Sequence, residues 1–309
     1  MDIAEVRAMI WKEQKLVYFP PLNTWTQKTD ELFEALSDLN FGQELTISLQ
    51  YISFLMPAGV IMLLLIALEG SKITKSAVKI ADINKSVLSY LDRIDFFKFK
   101  FVYTLEELPW WQKLKRSNNS RRVIELTRLE CPREISSVIA KTRSILKEWF
   151  PDSIYDDYCD SVTNILMEIC GNSIEHSVLQ GEVSECYYIL QLYEQGEIGI
   201  SISIGDIGIG IRKHITQMHN IEKKFDSYYI ERALLGVSGR LDGTGGMGLK
   251  RVRQITDNYK GQLFLRSGKG VVKIENSKFT SYDFLYHFPG TQCSINLHPV
   301  PRPKLQNLY

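Results

Sequence analysis

Hydrophobic positions along this chain switch between two periods. Within residues 45–54, Leu45, Ile47, Leu49 and Tyr51 recur at every second place, which is strand spacing. The stretch 54–68 that follows carries no charge. It predicts a buried helix over about 57–70, since a proline in the first turn gives up an N–H that has no intrahelical partner there. Residues 77–83 predict a short strand. Residues 87–97 place Val87, Leu88, Leu91 and Ile94 at helical spacing, and Phe99, Phe101 and Tyr103 alternate again. Strand, helix, strand, helix, strand predicts a small α/β layer domain. Residues 1–20 read as a short leader element or arm.

Residues 106–122 interrupt this pattern with Pro109, two tryptophans and the cluster Lys113, Lys115, Arg116, Arg121 and Arg122. Such a cluster can meet phosphates or an acidic partner, but a solvated surface connection is the favoured reading. A domain boundary follows, giving 1–122 and 123–309. In the second part, 123–130 predicts a strand and 132–150 an amphipathic helix with Ile135, Val138, Ile139, Thr142, Ile145, Leu146 and Trp149 on one face. Residues 156–177 predict a second helix, striped by Val162, Ile165, Leu166 and Ile169. Residues 187–193 and 198–204 alternate around 194–197 and predict a hairpin. A helix is expected after Gly248, with closing strands at 261–265 and 291–297.

Composition narrows the classes. Lys+Arg 37 against Asp+Glu 36 gives net charge +1, so no global field draws the chain to nucleic acid or to an acidic membrane. Cys131, Cys159, Cys170, Cys186 and Cys293 form no CxxC pair and no zinc spacing, so free thiols in a reducing, cytoplasmic setting are expected. The first twenty residues carry charges throughout and show no apolar core of a secretory leader. The apolar run 54–68 falls short of the ~20 residues that span a bilayer, so a buried helix is expected and no membrane partner.

Candidate chemistry lies in the second half. Glu168, Asn172 and His176 are spaced i, i+4, i+8 on one helical face. An amide oxygen at Asn172 can ligate the hard Mg²⁺ ion, and a carboxylate one turn away at Glu168 can take a proton from a water or hydroxyl attacking a γ-phosphate. A plain wet helix face is the competing reading. Asp206-Ile207-Gly208-Ile209-Gly210 closes a strand, which leaves open backbone beside an acidic acceptor and suits a purine's exocyclic amine. The run Gly243-Thr244-Gly245-Gly246-Met247-Gly248-Leu249-Lys250 opens a helix whose N–H groups can cradle phosphates. It is neither a Walker A motif nor a Rossmann fingerprint.

These four ordered features, with the terminal Gly290-Thr291 strand, resemble the GHKL ATPase superfamily of gyrase, heat-shock chaperone ATPases, mismatch-repair ATPases and histidine kinases. The resemblance covers about 130–300. It implies a Bergerat-type α/β (α+β) sandwich, helices on one face of a mixed sheet, with ATP and Mg²⁺ as cofactors. It further implies that Asn172 holds Mg²⁺ and Glu168 polarises the nucleophile. Asp206 would bind the adenine amine, Gly208 and Gly210 would shape its pocket, and Thr291 would sit near it. Residues 211–242 would form a lid, and 243–248 would wrap the triphosphate, with Met247 and Leu249 in the same motif. Lys250 and His176 are secondary candidates. The N-terminal part is similar to STAS-like domains, small α/β modules that mediate protein contacts.

The function expected from this resemblance is an ATP-binding regulator, a slow Mg²⁺-dependent ATPase switch acting on a protein partner. A serine/threonine kinase of the anti-sigma type and a non-hydrolysing ATP-binding subunit are the alternatives. Autophosphorylation on an upstream histidine is disfavoured, because no histidine precedes His176. Whether a homodimer forms with ATP stays open at this level.

Overall fold

A computed structural model describes residues 14–20, 27–108, 122–177, 185–193, 198–218, 224–237 and 247–299. It is mixed α/β, with one parallel and one antiparallel sheet. The chain divides into two compact units, Met1–Ser117 and Asn118–Tyr309.

The first unit is a parallel sheet in the order β1-β2-β3-β4, formed by Gln14–Tyr18, Glu44–Ser48, Val78–Ala81 and Val102–Tyr103. Helices α1 (Gln27–Ser37), α2 (Pro57–Thr74) and α3 (Lys85–Arg93) connect successive strands. Alternation sends Val17, Leu45, Ile47, Val78, Ile80 and Val102 into the core. Helix α2 is apolar on nearly every side and correspondingly buried from Val60 to Leu68. By length and composition it is the one helix among the described residues long and apolar enough to cross a membrane, yet 72% of its apolar window is buried inside the protein. Asn84 caps α3 by accepting the Val87 N–H at 3.0 Å.

Several expectations change here. Residues 14–18 are no arm but the edge strand, and α1 buries Leu32, Phe33 and Leu36. The strand expected over 45–54 stops at Ser48, because Ile52 N–H turns back to the Leu49 carbonyl. The helix expected over 87–97 ends at Arg93, where Asp95 takes a left-handed φ of 60° before a short 3-10 turn. Of the alternating run 99–103, two residues pair. The basic cluster from Lys113 to Arg121 lies outside the described residues.

The second unit holds β5 (Val123–Leu129), α4 (Pro132–Trp149), α5 (Asp156–Ser177), β6 (Cys186–Tyr193) and β7 (Gly199–Gly205). Then come α6 (Gly210–Met218), α7 (Asp226–Leu234), α8 (Met247–Asn258), β8 (Gln262–Glu275) and β9 (Lys278–Leu297). Its sheet runs β5-β6-β7-β9-β8, and all four pairings are antiparallel, so the expected mixed sheet is not found in this unit. Register aligns Leu190, Ile202 and Ile295 in one row and Tyr188, Ile204 and Cys293 in the next. Against these rows pack Leu146, Val162, Ile165, Leu166, Ile169, Val252 and Ile255 of the helices. The closing strands are far longer than expected. Asn276 and Ser277, both at positive φ (49° and 60°), make the tight turn that suits the twist of a two-residue hairpin. All five cysteines are free, and four are buried.

Leu64 is fully buried in α2, so Leu64→Ala should cost about 2–5 kcal/mol in urea-denaturation stability, the range for deleting a packed leucine side chain.

Candidate functional site

Strand periodicity places the acid. Ile200, Ile202 and Ile204 point to the helical layer, and Asp206 continues that row one step beyond β7. Its carboxyl is therefore carried beneath α5, with only 5% of the residue exposed. On α5 the apolar stripe Val162, Ile165, Leu166, Ile169 continues into Ser173, whose hydroxyl donates to Asp206 Oδ2 at 2.9 Å. Oδ1 accepts the N–H groups of Gly208 (2.8 Å) and Thr291 (3.2 Å). Burial raises the Asp206 carboxyl above its ordinary value. Those three donors and the Arg266 charge pull it back down.

Main-chain hydrogen bonds in both directions tie Asp206 to Thr291. They require Gly290: its φ is +74°, and a side chain there would overlap the Asp206 carbonyl. Gly210, at φ +77°, opens α6, and the next residue, Ile211, donates its N–H to Ser267 Oγ at 2.9 Å. Ser267 Oγ also lies 3.1 Å from the Gly290 carbonyl and 3.2 Å from Thr291 Oγ1.

Glu168 and Asn172 share the face of α5 beside Ser173. Onto that face comes the start of α8. A Cβ added to Gly248 would stand 2.7 Å from Glu168 Oε2 and 3.5 Å from Asn172 Nδ2, so the helix can approach this closely only with glycine there. Arg251, a turn further along α8, ion-pairs with Glu168 at 3.6 Å. Thus Glu168, Asn172, Gly248, Asp206, Gly208 and Thr291 come together along α5. Met247 is exposed on the first turn of α8, and Leu249 packs against the core. Gly243, Thr244, Gly245, Gly246 and the side chain of His176 lie outside the described residues.

The expected lid is corrected in part. Of residues 211–242, α7 buries Tyr229, Ile230 and Leu234. Ser227 Oγ donates to Asp283 at 2.5 Å, Asp226 accepts the Lys269 N–H at 2.9 Å, and Arg212 pairs with Asp226 at 2.8 Å. A segment stitched to β8 and β9 in this way is part of the body, not a cover. Beside it opens a cavity of about 200 Å³ lined by Gly210, Arg212, Asp226, Ser267, His287 and Gly290 among others.

Oxygen donors at Glu168 and Asn172 suit a hard cation. Among the described residues no three His, Cys, Asp or Glu side chains form a metal cage. Mg²⁺ is commonly held by one or two protein oxygens while phosphates and waters complete its octahedron. Ser173, Arg251, Arg266 and Ser267 were not singled out in the sequence. Ser173 was within reach, since it continues the core stripe of α5; nothing local marks the other three.

No protein-family model matches the chain, and no curated protein matches it. The site's chemistry therefore stands on its own residues.

Gly290→Ala forces a Cβ into the left-handed region and onto the Asp206 backbone. It should lower stability by about 2 kcal/mol or more in a denaturant titration, well beyond the effect of an ordinary surface alanine.

Proposed function

We propose that the C-terminal unit is a GHKL-type (Bergerat) ATP-binding domain and that the protein is a slow Mg²⁺-dependent ATPase switch. One observation carries the reading: α5 presents Glu168 and Asn172 to the glycine start of α8 while its next residue, Ser173, holds the buried Asp206. A helix start, an amide oxygen, a carboxylate and a base acceptor thereby lie along one helix, which supports a nucleoside triphosphate as ligand.

In this reading Asp206 accepts the exocyclic amine of adenine, with Gly208 leaving room for the ring. The 243–248 run and the N-terminal N–H groups of α8 take the phosphates. Asn172 would hold Mg²⁺, which when bound would supply neutralisation of the phosphate charge. Glu168 orients the attacking water and takes its proton. Arg251 holds Glu168 at the mouth of the site until substrate arrives. The N-terminal α/β unit, proposed as STAS-like, reports nucleotide state to a protein partner in the cytoplasm.

Calorimetric titration with MgATP, followed by phosphate-release assays, tests this. Wild type should bind and turn over slowly. Asn172→Ala should weaken binding about tenfold or more. Glu168→Ala should bind normally and lose about 10²–10⁴ of turnover, the share a positioned base supplies. No binding by wild type would overturn the site. Binding without turnover would favour transfer to a partner's serine.

Asp206 also sets a pH dependence. Its carboxyl is raised by burial, so protonation sets in at a higher pH than for an ordinary aspartate. A protonated Asp206 is a poorer acceptor. MgATP affinity should therefore fall as pH drops through that raised value, and Asp206→Asn should bind weakly with little pH dependence over the same window.

A further inference from the structure

Arg266 on β8 is the largest fully buried side chain among the described residues, 0% exposed, and it is a cation. Its guanidinium donates to the carbonyls of Phe288 (3.0 Å), Gly268 (3.4 Å) and Pro289 (3.5 Å), and it lies 4.7 Å from the centre of the Phe288 ring. Those carbonyls belong to the neck of the β8–β9 hairpin, where the register slips on either side of Gly268. The neck is the segment that delivers Gly290 and Thr291 to Asp206.

These carbonyls accept from the two terminal guanidinium nitrogens without cancelling the charge. A charge taken wholly out of water needs an opposite charge close by. Burial pulls Arg266 down to about 9, and the Asp206 carboxylate pushes it back up; Arg266 in turn draws Asp206 toward its ionised form. Asp206 also acts on the Cys186 thiol of β6, which keeps its proton through a hydrogen bond with Cys170 of α5 and through burial, and Arg266 acts on His287 of β9, whose other charged neighbours are Asp226 of α7 and Lys269 of β8. Glu168 and Arg251 are engaged with each other at the start of α8.

We propose that Arg266 is the positioning residue of the acceptor Asp206: it clamps the hairpin neck that supplies Thr291 N–H and serves as the buried countercharge that keeps the acceptor anionic. The proposal rests on the nucleotide reading only for what Asp206 accepts. The Arg266–Asp206 coupling exists with or without ATP.

The direct test uses the full chain labelled with [¹³Cγ]aspartate and no nucleotide, titrated by NMR, with D206N identifying the Asp206 resonance. In R266M the Asp206 midpoint should rise by about one pH unit or more above wild type, the size expected for losing a nearby opposite charge. R266K, which retains the charge, should stay near wild type. An unchanged midpoint in R266M overturns the proposal, because a neck that acts by packing alone leaves the titration where it was. Should R266M fail to fold, the R266M/D206N double variant decides. Removing both partners leaves no uncompensated buried carboxylate, so the double should melt at a higher temperature than R266M. A double that melts no higher than R266M contradicts the coupling. Absence of MgATP binding in wild type would remove the nucleotide reading and leave these outcomes interpretable.

Discussion

A carboxylate carried out of water is the constraint around which the C-terminal unit is arranged. Asp206 stands at the end of an isoleucine row, where the next strand position would otherwise take another apolar residue. It is tolerated because three separate elements each bring it a donor: Ser173 from α5, Gly208 from its own loop and Thr291 from β9. None of the three can shift without leaving a buried acceptor short of a partner, and an unmet buried polar group costs about 1–3 kcal/mol. The glycine at 290, the bulged neck of β8–β9 and the buried Arg266 follow as the means of bringing Thr291 close.

The same helix solves two problems with adjacent residues. Ser173 belongs to the stripe that faces the sheet, and Asn172 and Glu168 to the neighbouring face that meets α8. A rotation of α5 that improved one contact would spoil the other, so Ser173, which holds Asp206, and the Asn172 amide are fixed relative to each other by helix geometry. Gly248 lets α8 come within reach of both Glu168 and Asn172, and Arg251 occupies the carboxylate meanwhile.

Much of this was legible in the sequence. Strong local periods marked β5, α4, α5, β6 and β7 nearly to the residue, although β7 is buried on both faces. Glu168, Asn172, Asp206 and Gly208 were singled out by residue type and spacing, and Thr291 through the family resemblance. What was missed depends on partners distant in sequence. The outer part of β9 is polar and largely exposed, so its alternation is weak. Edge strand β1 pairs on one side only, and its leucine and tyrosine at 16 and 18 stay half exposed, which hid it as an arm. A buried arginine such as Arg266 has no local signature at all: its reason is a carboxylate sixty residues earlier in the chain. The part of the expected lid that α7 occupies was misread for a similar reason, since the glycines at 268 and 270 that let α7 sit down on β8 lie outside the segment itself.

The central claim is that one place, bounded by Asp206 at one end and by Glu168, Asn172 and the start of α8 at the other, receives a magnesium nucleotide. A crystal structure of the full chain grown with Mg²⁺ and a non-hydrolysable ATP analogue tests it most directly. The account predicts the adenine amine on Asp206, the metal on the Asn172 amide oxygen, and the phosphates against the 243–248 run. Nucleotide bound elsewhere, or an Asp206 carboxyl still closed off while the analogue is held at another surface, would contradict it.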